Sequence, residues 1–481
     1  MRTDWPEHFR PDVVRHAFGG GRLSAFTLSL EAWRRGLDVT FHDTAMRRYT
    51  VSDGNRSIRF SDSRPSTLTR ADDYRPLLNK SETIERLRAR GVSTPVSIGF
   101  DARETDLDGI RLLAEKIGYP LVIKPEAGSM GRGVHTGLRS WEELRDAYTH
   151  VLSTDRPTKM VIESHFDGDD HRILVIGDRV VAATRRVKTH VIGDGRSTVE
   201  QLIRAKNAVR KENPFLSSGL IKVDYEVTTL LTEQDLSLES VPREGQHVGL
   251  RRMANGSAGG DIVDVTDELP SAIKDAAVRA VHVFDNIHIA GVDLLRRPSE
   301  SGEDSYVIIE MNSRPHIPTN MYPSVGTGRD VPRHFIDHFF PETPRASQPG
   351  DDSLVYDYPA AETLQRTRVT SSVTLRPLPE HRYPVRRFVH LVTGDEYVNM
   401  PRIRRERLES RAERLDIVGD ITQPEREVVH AKLGASDEES MQAFVTLLTE
   451  ALRGRVIESS PHTGILTTGM RIARPLLGRK R

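Results

Sequence analysis

The chain has no cysteine in its 481 residues. That excludes disulfides, thiolate metal sites and a cysteine nucleophile, and it leaves the compartment open. There is no excess of either charge: Lys+Arg and Asp+Glu are both 69, for a formal net charge of zero. Proteins that grip nucleic acid or an anionic membrane usually carry a basic excess, so neither partner is expected. Long apolar runs are missing as well. The opening stretch MRTDWPEHFRPDVV holds no apolar h-region and no segment approaches a membrane span, so a cytoplasmic protein is expected. Two nucleotide motifs are also absent where one would look for them. No Gly-Lys-Ser/Thr follows the glycine loop described next, and its spacing is not G-x-G-x-x-G.

What is present instead is the run GYPLVIKPEAGSMGRGV at residues 118–134. A short apolar strand over 121–123 delivers Lys124 into a loop carrying Gly128, Gly131 and Gly133. A strand ending in a cation beside a flexible run of backbone N–H groups is suited to holding phosphate. Where lysine survives in so arginine-rich a chain, a compact ammonium is the expected requirement, as at Lys80 and Lys124.

The length predicts two to four domains. Residues 1–76 read as a small α/β cap. Residues 77–340 read as a mixed α+β domain, with a helix over 81–90, strands over 121–124, 160–163, 172–176 and 180–185, and a helix over 141–152 capped by Ser140. Turns at Gly177-Asp178 and at Gly193-Asp194-Gly195 are expected to punctuate antiparallel hairpins. Residues 341–368 read as a Pro-rich linker. Residues 369–460 give a β-α-β-β-α-β order, the split βαβ arrangement of a ferredoxin-like domain, and 461–481 a basic, solvated tail.

Two strand-like runs carry an acid where an apolar side chain is expected: Asp293 in IAGVDLL and Glu310 in YVIIEMN. A buried carboxylate without a partner costs several kcal/mol, so each needs a cation. Glu310 and Asn312 stand two apart and project from one face. Three oxygen donors on neighbouring strands suit Mg²⁺. Pairing of both acids with arginines at a strand end is the alternative.

The order Lys80, Lys124, glycine loop, Glu163, Asp293, Glu310, Asn312 resembles the ATP-grasp superfamily. Three stretches narrow the likeness to cyanophycin synthetase and the ATP-grasp half of bifunctional glutathione synthetase. They are VIESHF with DHRILV at 161–166 and 170–175, RRVKTHVIGDGRSTV at 185–199, and the run from Leu250-Arg251 to Asp267. The resemblance implies an ATP-grasp fold and an ADP-forming carboxylate–amine ligase acting through an acyl-phosphate. It implies that Lys80, Lys124, Gly128, Ser129, Gly131 and Gly133 hold the ATP phosphates, and that Glu163, Ser164 and Phe166 form the hinge against adenine. Asp293, Glu310 and Asn312 would bind Mg²⁺, with Mn²⁺ as the alternative ion. Arg172, Arg251 and Arg314 would stabilise the phosphoryl group in transfer. The implied partners are a small-molecule or peptide carboxylate and an amine, an amino acid being the expected amine; self-association is left open. A nucleotide-binding regulator and a carboxylase or kinase on the same fold are the rival readings. Arg185 and Arg186 read as partly solvated. One departure stands out: Arg252 follows Arg251 where the family usually has an acid.

The C-terminal order resembles acylphosphatase. The loop GDEYVNMPR ends in Arg402, where that family's catalytic arginine falls, but Gln423 replaces its asparagine. Asp395 and Glu396 add negative charge to a loop meant for phosphate, so a degenerate module is expected.

Overall fold

The computed structural model describes residues 4–18, 21–128, 132–154, 156–299, 304–343, 353–366, 371–376, 378–379, 381–393, 402–425 and 427–472. The chain divides into two compact units. One takes residues 1–6, 17–25 and 58–341, the other 7–16, 26–57 and 342–481. The first 76 residues, read from sequence as a cap, are therefore shared between the two.

The first unit contains two sheets that matter for function. In the smaller one, the strands Ser97–Asp101, Lys159–Ser164, Leu121–Pro125 and His135–Leu138 lie side by side in that order. The helices Leu107–Ile117 and Trp141–Thr154 supply Ile110, Ala114, Leu144 and Ala147 to a core with Leu121, Ile123, Met160 and Ile162. Alternation along the strands then turns Lys124 and Glu163 to the other face. Ser140 Oγ accepts from Glu143 N at 3.2 Å, the expected cap of the second helix.

The larger sheet is antiparallel throughout, in the order Asp261–Asp264, Arg179–Val187, Asp169–Ile176, Ile289–Arg297, Ser305–Asn312. Ile173, Val175, Ala183, Val292, Leu294 and Ile308 pack on one face against Ile273, Ala277, Ala280 and Val281 of the helix Ser271–Val281. The opposite face carries Arg172, Arg186, Asp293 and Glu310. Gly177 makes the expected hairpin between the Arg172 and Arg186 strands. The turn at Gly193–Gly195 does not make one. It leads into the helix Val199–Glu212, where Thr198 and Gln201 form a reciprocal capping box. The short strand before it, His190–Ile192, pairs instead with the distant His247–Gly249.

In the second unit the helix Leu23–Arg34 contributes Trp33, whose Nε1 donates to Arg376 O at 2.8 Å. The strand Asp38–Phe41 pairs antiparallel with Val373–Leu375. The segment read as a linker is partly regular, containing the strand Leu354–Tyr356 and the helix Tyr358–Arg366. Tyr356 and Tyr358 are buried there against Phe26, and such aromatic anchors outweigh the local proline signal.

The C-terminal elements run Val385–Thr393, Arg402–Arg414, Val418–Glu425, Val428–Ala435, Glu438–Leu452, Gly454–Pro461, in β-α-β-β-α-β order. In the sheet, Gly454–Pro461, Val385–Thr393, Val428–Ala435 and Val418–Glu425 are successive neighbours, and Met470–Ile472 adds a fifth strand. Part of the stretch read as a solvated basic tail is therefore regular, because Arg471 lies in a strand paired with Asp420. Residues 394–401, the acylphosphatase-like loop, lie outside the described residues, as do 473–481.

Candidate active site

The helix Lys80–Ala89 opens the site. Asn79 caps it, its Oδ1 accepting from Glu82 N at 2.9 Å. Glu126, at the end of the Lys124 strand, closes the same turn: its carboxylate accepts from Ser81 N at 2.8 Å and from Ser81 Oγ at 2.6 Å. A buried carboxylate at a helix N-terminus meets the partial positive charge of the free N–H groups. Lys80 Nζ donates to the carbonyls of Glu126 at 3.2 Å and Gly128 at 3.3 Å. The helix start and the glycine loop are thus tied together by one ammonium. Burial lowers the Lys80 pKa; the Glu310 carboxylate opposes that, Lys124 adds to it, and Glu126 and Glu163 oppose it. Lys80 therefore feels carboxylates of both sheets.

Lys124 is 7% exposed and Glu163 3%, and their charges meet at 2.7 Å. Ser97 Oγ also donates to Glu163, at 3.2 Å. The Glu163 side chain, read from the resemblance as meeting adenine, is spent on Lys124. Ser164 Oγ accepts from Val96 N at 3.0 Å, and Arg297 lies over the Phe166 ring at 5.0 Å. Gly128 and Gly133 are described, whereas Ser129 and Gly131 lie outside the described residues.

On the larger sheet Asp293 stands directly opposite both Glu310 and Arg172. A bulge makes the first pairing work. Asp293 faces Glu310 but Leu294 faces Ile308, so Ile309 is an extra residue. Ile308 consequently stays in the core while Glu310 reaches the opposite face. Asn312, two residues on, is opposite Gly291. An added Cβ at Gly291 would come within 3.2 Å of Pro315 Cβ and 4.0 Å of Arg172 Cδ, so this glycine gives both neighbours room.

Arg172 grips Asp293 with Nε on Oδ1 and Nη2 on Oδ2, both at 2.7 Å. Arg186 Nη2 reaches the same Oδ2 at 2.9 Å and Asp170 Oδ1 at 2.6 Å, with its Nε on Asp170 at 3.0 Å. Burial would raise the Asp293 pKa, but Arg172 and Arg186 bring it down to about 2. Burial raises Asp170, against the pull of Arg186. Arg186 itself is raised: the two carboxylates outweigh its desolvation. Arg186, read from sequence as partly solvated, keeps 17% of its side chain exposed, but that reading missed its hold on two carboxylates, and it also missed Asp170 and Glu126. For the first two the signal was available, since 170 and 172, and 184 and 186, alternate onto the face of Asp293.

Two expected arginines stand differently. Arg314 is half exposed, 3.9 Å from Asp62, and its backbone N donates to Asn312 Oδ1 at 2.8 Å. Arg251 is engaged elsewhere, with Asp224 at 2.6 Å and Glu226 at 2.7 Å. Arg252 pairs with Glu233 on the same helix, Tyr225–Glu233.

Among the described residues no group of three His, Cys, Asp or Glu side chains is positioned for a metal ion. The oxygen groups expected from sequence to meet a divalent cation are the Asp293 and Glu310 carboxylates and the Asn312 amide; of these Asp293 also accepts from Arg172 and Arg186, and Asn312 Oδ1 from Arg314 N. This all-oxygen set fits a hard cation that completes its shell with phosphate and water. No helix among the described residues is long and apolar enough to cross a membrane.

No family model matches the chain. Cyanophycin synthetase of Nostoc sp. is 37% identical over 272 residues, 55% of this chain and 29% of that protein. The glutathione biosynthesis bifunctional protein GshAB of Listeria innocua is 29% identical over 327 residues, 66% of this chain and 41% of that protein. The chain thus spans well under half the length of these curated relatives. The solved bifunctional glutathione synthetase of Pasteurella multocida superposes with a TM-score of 0.53 at 24% identity, over 66% of this chain and 44% of that one. The chain thus carries the ATP-grasp fold and is related in sequence to cyanophycin synthetase and to the bifunctional protein GshAB.

Proposed function

We propose that the chain is an ATP-dependent, ADP-forming ligase that joins a carboxylate to an amine through an acyl-phosphate. The observations that carry this reading are the register that sets the Asp293 and Glu310 carboxylates opposite each other and the Lys80 ammonium bound to the Glu126 and Gly128 carbonyls at the glycine loop. A phosphate-holding cation and a pair of acids for a divalent cation are the two halves that an ATP–metal site needs. A regulator that only bound nucleotide would have little need of the acids.

Lys80, Lys124 and the loop from Gly128 to Gly133 hold the ATP phosphates in this reading, with residues 163–166 as the adenine hinge. Asp293, Glu310 and Asn312 hold Mg²⁺ or Mn²⁺, which supplies charge neutralisation on the phosphates. The substrate carboxylate takes the γ-phosphoryl group, and charge spreads over its equatorial oxygens. Arg172, whose one carboxylate partner among the described residues is Asp293, and the half-exposed Arg314 would meet that charge. The amine then displaces phosphate, leaving an amide. Arg251 enters this scheme only if its acids release it. The proposed substrates are a small-molecule or peptide acid and an amino acid, and the proposed compartment is the cytoplasm.

Chromatography of the products decides the matter. With Mg²⁺ and pairs of amino acids or dipeptides, ADP and phosphate should form only when both organic substrates are present. AMP with pyrophosphate would sink the reading, and ADP without an amine would favour a kinase.

A further inference from the structure

Asp293 holds two arginines that differ in how they are themselves held. Arg172 spends both of its recorded side-chain hydrogen bonds on Asp293. Arg186 spends one there and two on Asp170. An ionised carboxylate offers about four acceptor positions, two on each oxygen. The recorded hydrogen bonds take one on Oδ1 and two on Oδ2, so the remaining position lies on Oδ1.

We propose that Asp170 and Arg186 are a positioning pair for Asp293: Asp170 anchors Arg186 on Oδ2, which directs a divalent cation to Oδ1 and lets Arg172 leave for the phosphoryl group. This rests on the ligase reading and deepens it. Were Arg172 to turn away with no Arg186 present, Asp293 would lose its orientation at the moment of reaction. Were Asp170 absent, Arg186 would have Asp293 as its sole carboxylate and would compete with the cation for it. The negative charge of Asp170 beside the site matters in the same direction. Groups behind a metal ligand commonly govern metal affinity by tenfold to a hundredfold.

The test uses the full chain and calorimetric titration of a non-hydrolysable ATP analogue, with and without Mn²⁺. The quantity read is the enhancement of analogue affinity by the metal. Asp170→Asn should cut that enhancement by about tenfold or more while leaving metal-free affinity unchanged. The double variant Asp170→Asn with Arg186→Gln removes anchor and competitor together at constant net charge, and should return the enhancement toward the wild-type value. A merely structural pair would instead make the double variant no better than the single one. That result, or a wild-type enhancement in Asp170→Asn, would overturn the proposal. If Asp170→Asn does not fold, Arg186→Lys serves in its place, because a single nitrogen cannot reproduce the two-nitrogen hold of Nε and Nη2 on Asp170; it should lower the enhancement, and an unchanged value counts against the pair. A wild-type protein with no Mn²⁺ dependence would refute the ligase reading itself, which separates the two failures.

Discussion

Lys124 Nζ lies 2.7 Å from Glu163 Oε2, although the two residues are not opposite each other in the sheet. Lys124 faces Val161 and Glu163 faces Val122, so the ion pair runs diagonally across two antiparallel strands. Both charges are nearly out of water, and each is tolerated because of the other. Removing one partner leaves an uncompensated buried charge, which costs about 3–5 kcal/mol. Glu163→Gln should therefore destabilise the fold by roughly that amount, and Lys124→Met added to it should recover most of the loss. Denaturant melts of the two single variants and the double variant check this. Simple additivity would refute it.

Glu310→Ala should abolish turnover and spare the fold, because Glu310 is only partly buried and its strand neighbours hold the register. A loss on the order of a thousandfold, about 4 kcal/mol of barrier, is expected for a metal ligand. Circular dichroism alongside steady-state ADP release tests both halves. A folded and active variant would place the cation elsewhere.

The Asp293 carboxylate, held down to about 2 by Arg172 and Arg186, makes acid stability predictable. Its folded pKa lies below the unfolded value of about 3.9, so the stabilisation is complete above that value and is lost as pH falls to about 2. At neutral pH this amounts to roughly 2–3 kcal/mol. The stability difference between wild type and Asp293→Asn should shrink over that acid window. A difference that stays constant from pH 5 to about pH 2 would contradict it.

Gly419 has φ 127°, and an added Cβ would lie 1.9 Å from Lys432 O. Backbone cannot yield there as a flexible side chain would. Gly419→Ala should cost the C-terminal sheet about 3 kcal/mol or more, read as faster amide exchange in Val418–Glu425 and Val428–Ala435. Unchanged exchange would show that the strand crossing is looser than it looks.

The C-terminal unit should hydrolyse acyl-phosphates poorly or not at all. Gln423 is one methylene longer than the asparagine of acylphosphatases, and a displacement of about 1 Å in a catalytic group costs on the order of a hundredfold. Benzoyl phosphate assayed with the full chain is the direct check. Robust hydrolysis that vanishes in Arg402→Ala would make the chain bifunctional.

Much of this was legible in the residues. The C-terminal order of elements follows the apolar periodicity, with Glu438–Leu452 as its second helix. Lys124 at a strand end and the acids at 293 and 310 were visible because charges interrupt apolar runs. The illegible parts depended on the third dimension. Pairing of Asp293 with arginines stood open in the sequence, but which arginines, from two other strands, depended on the register of the sheet. Pro-rich composition at 341–368 hid a helix that aromatic packing stabilises. The Gly193–Gly195 turn looked like a hairpin because its partner strand lies more than fifty residues away.

The extra residue at Ile309 has a consequence for how this strand can vary. Upstream of it the strand keeps one reading frame, with Ile308 inward; downstream it keeps the other, with Met311 inward and Glu310 outward. Substitutions can drift freely within either frame, but losing a single residue would merge the two. The fold would then have to choose between its core and its acid, satisfying one only by giving up the other.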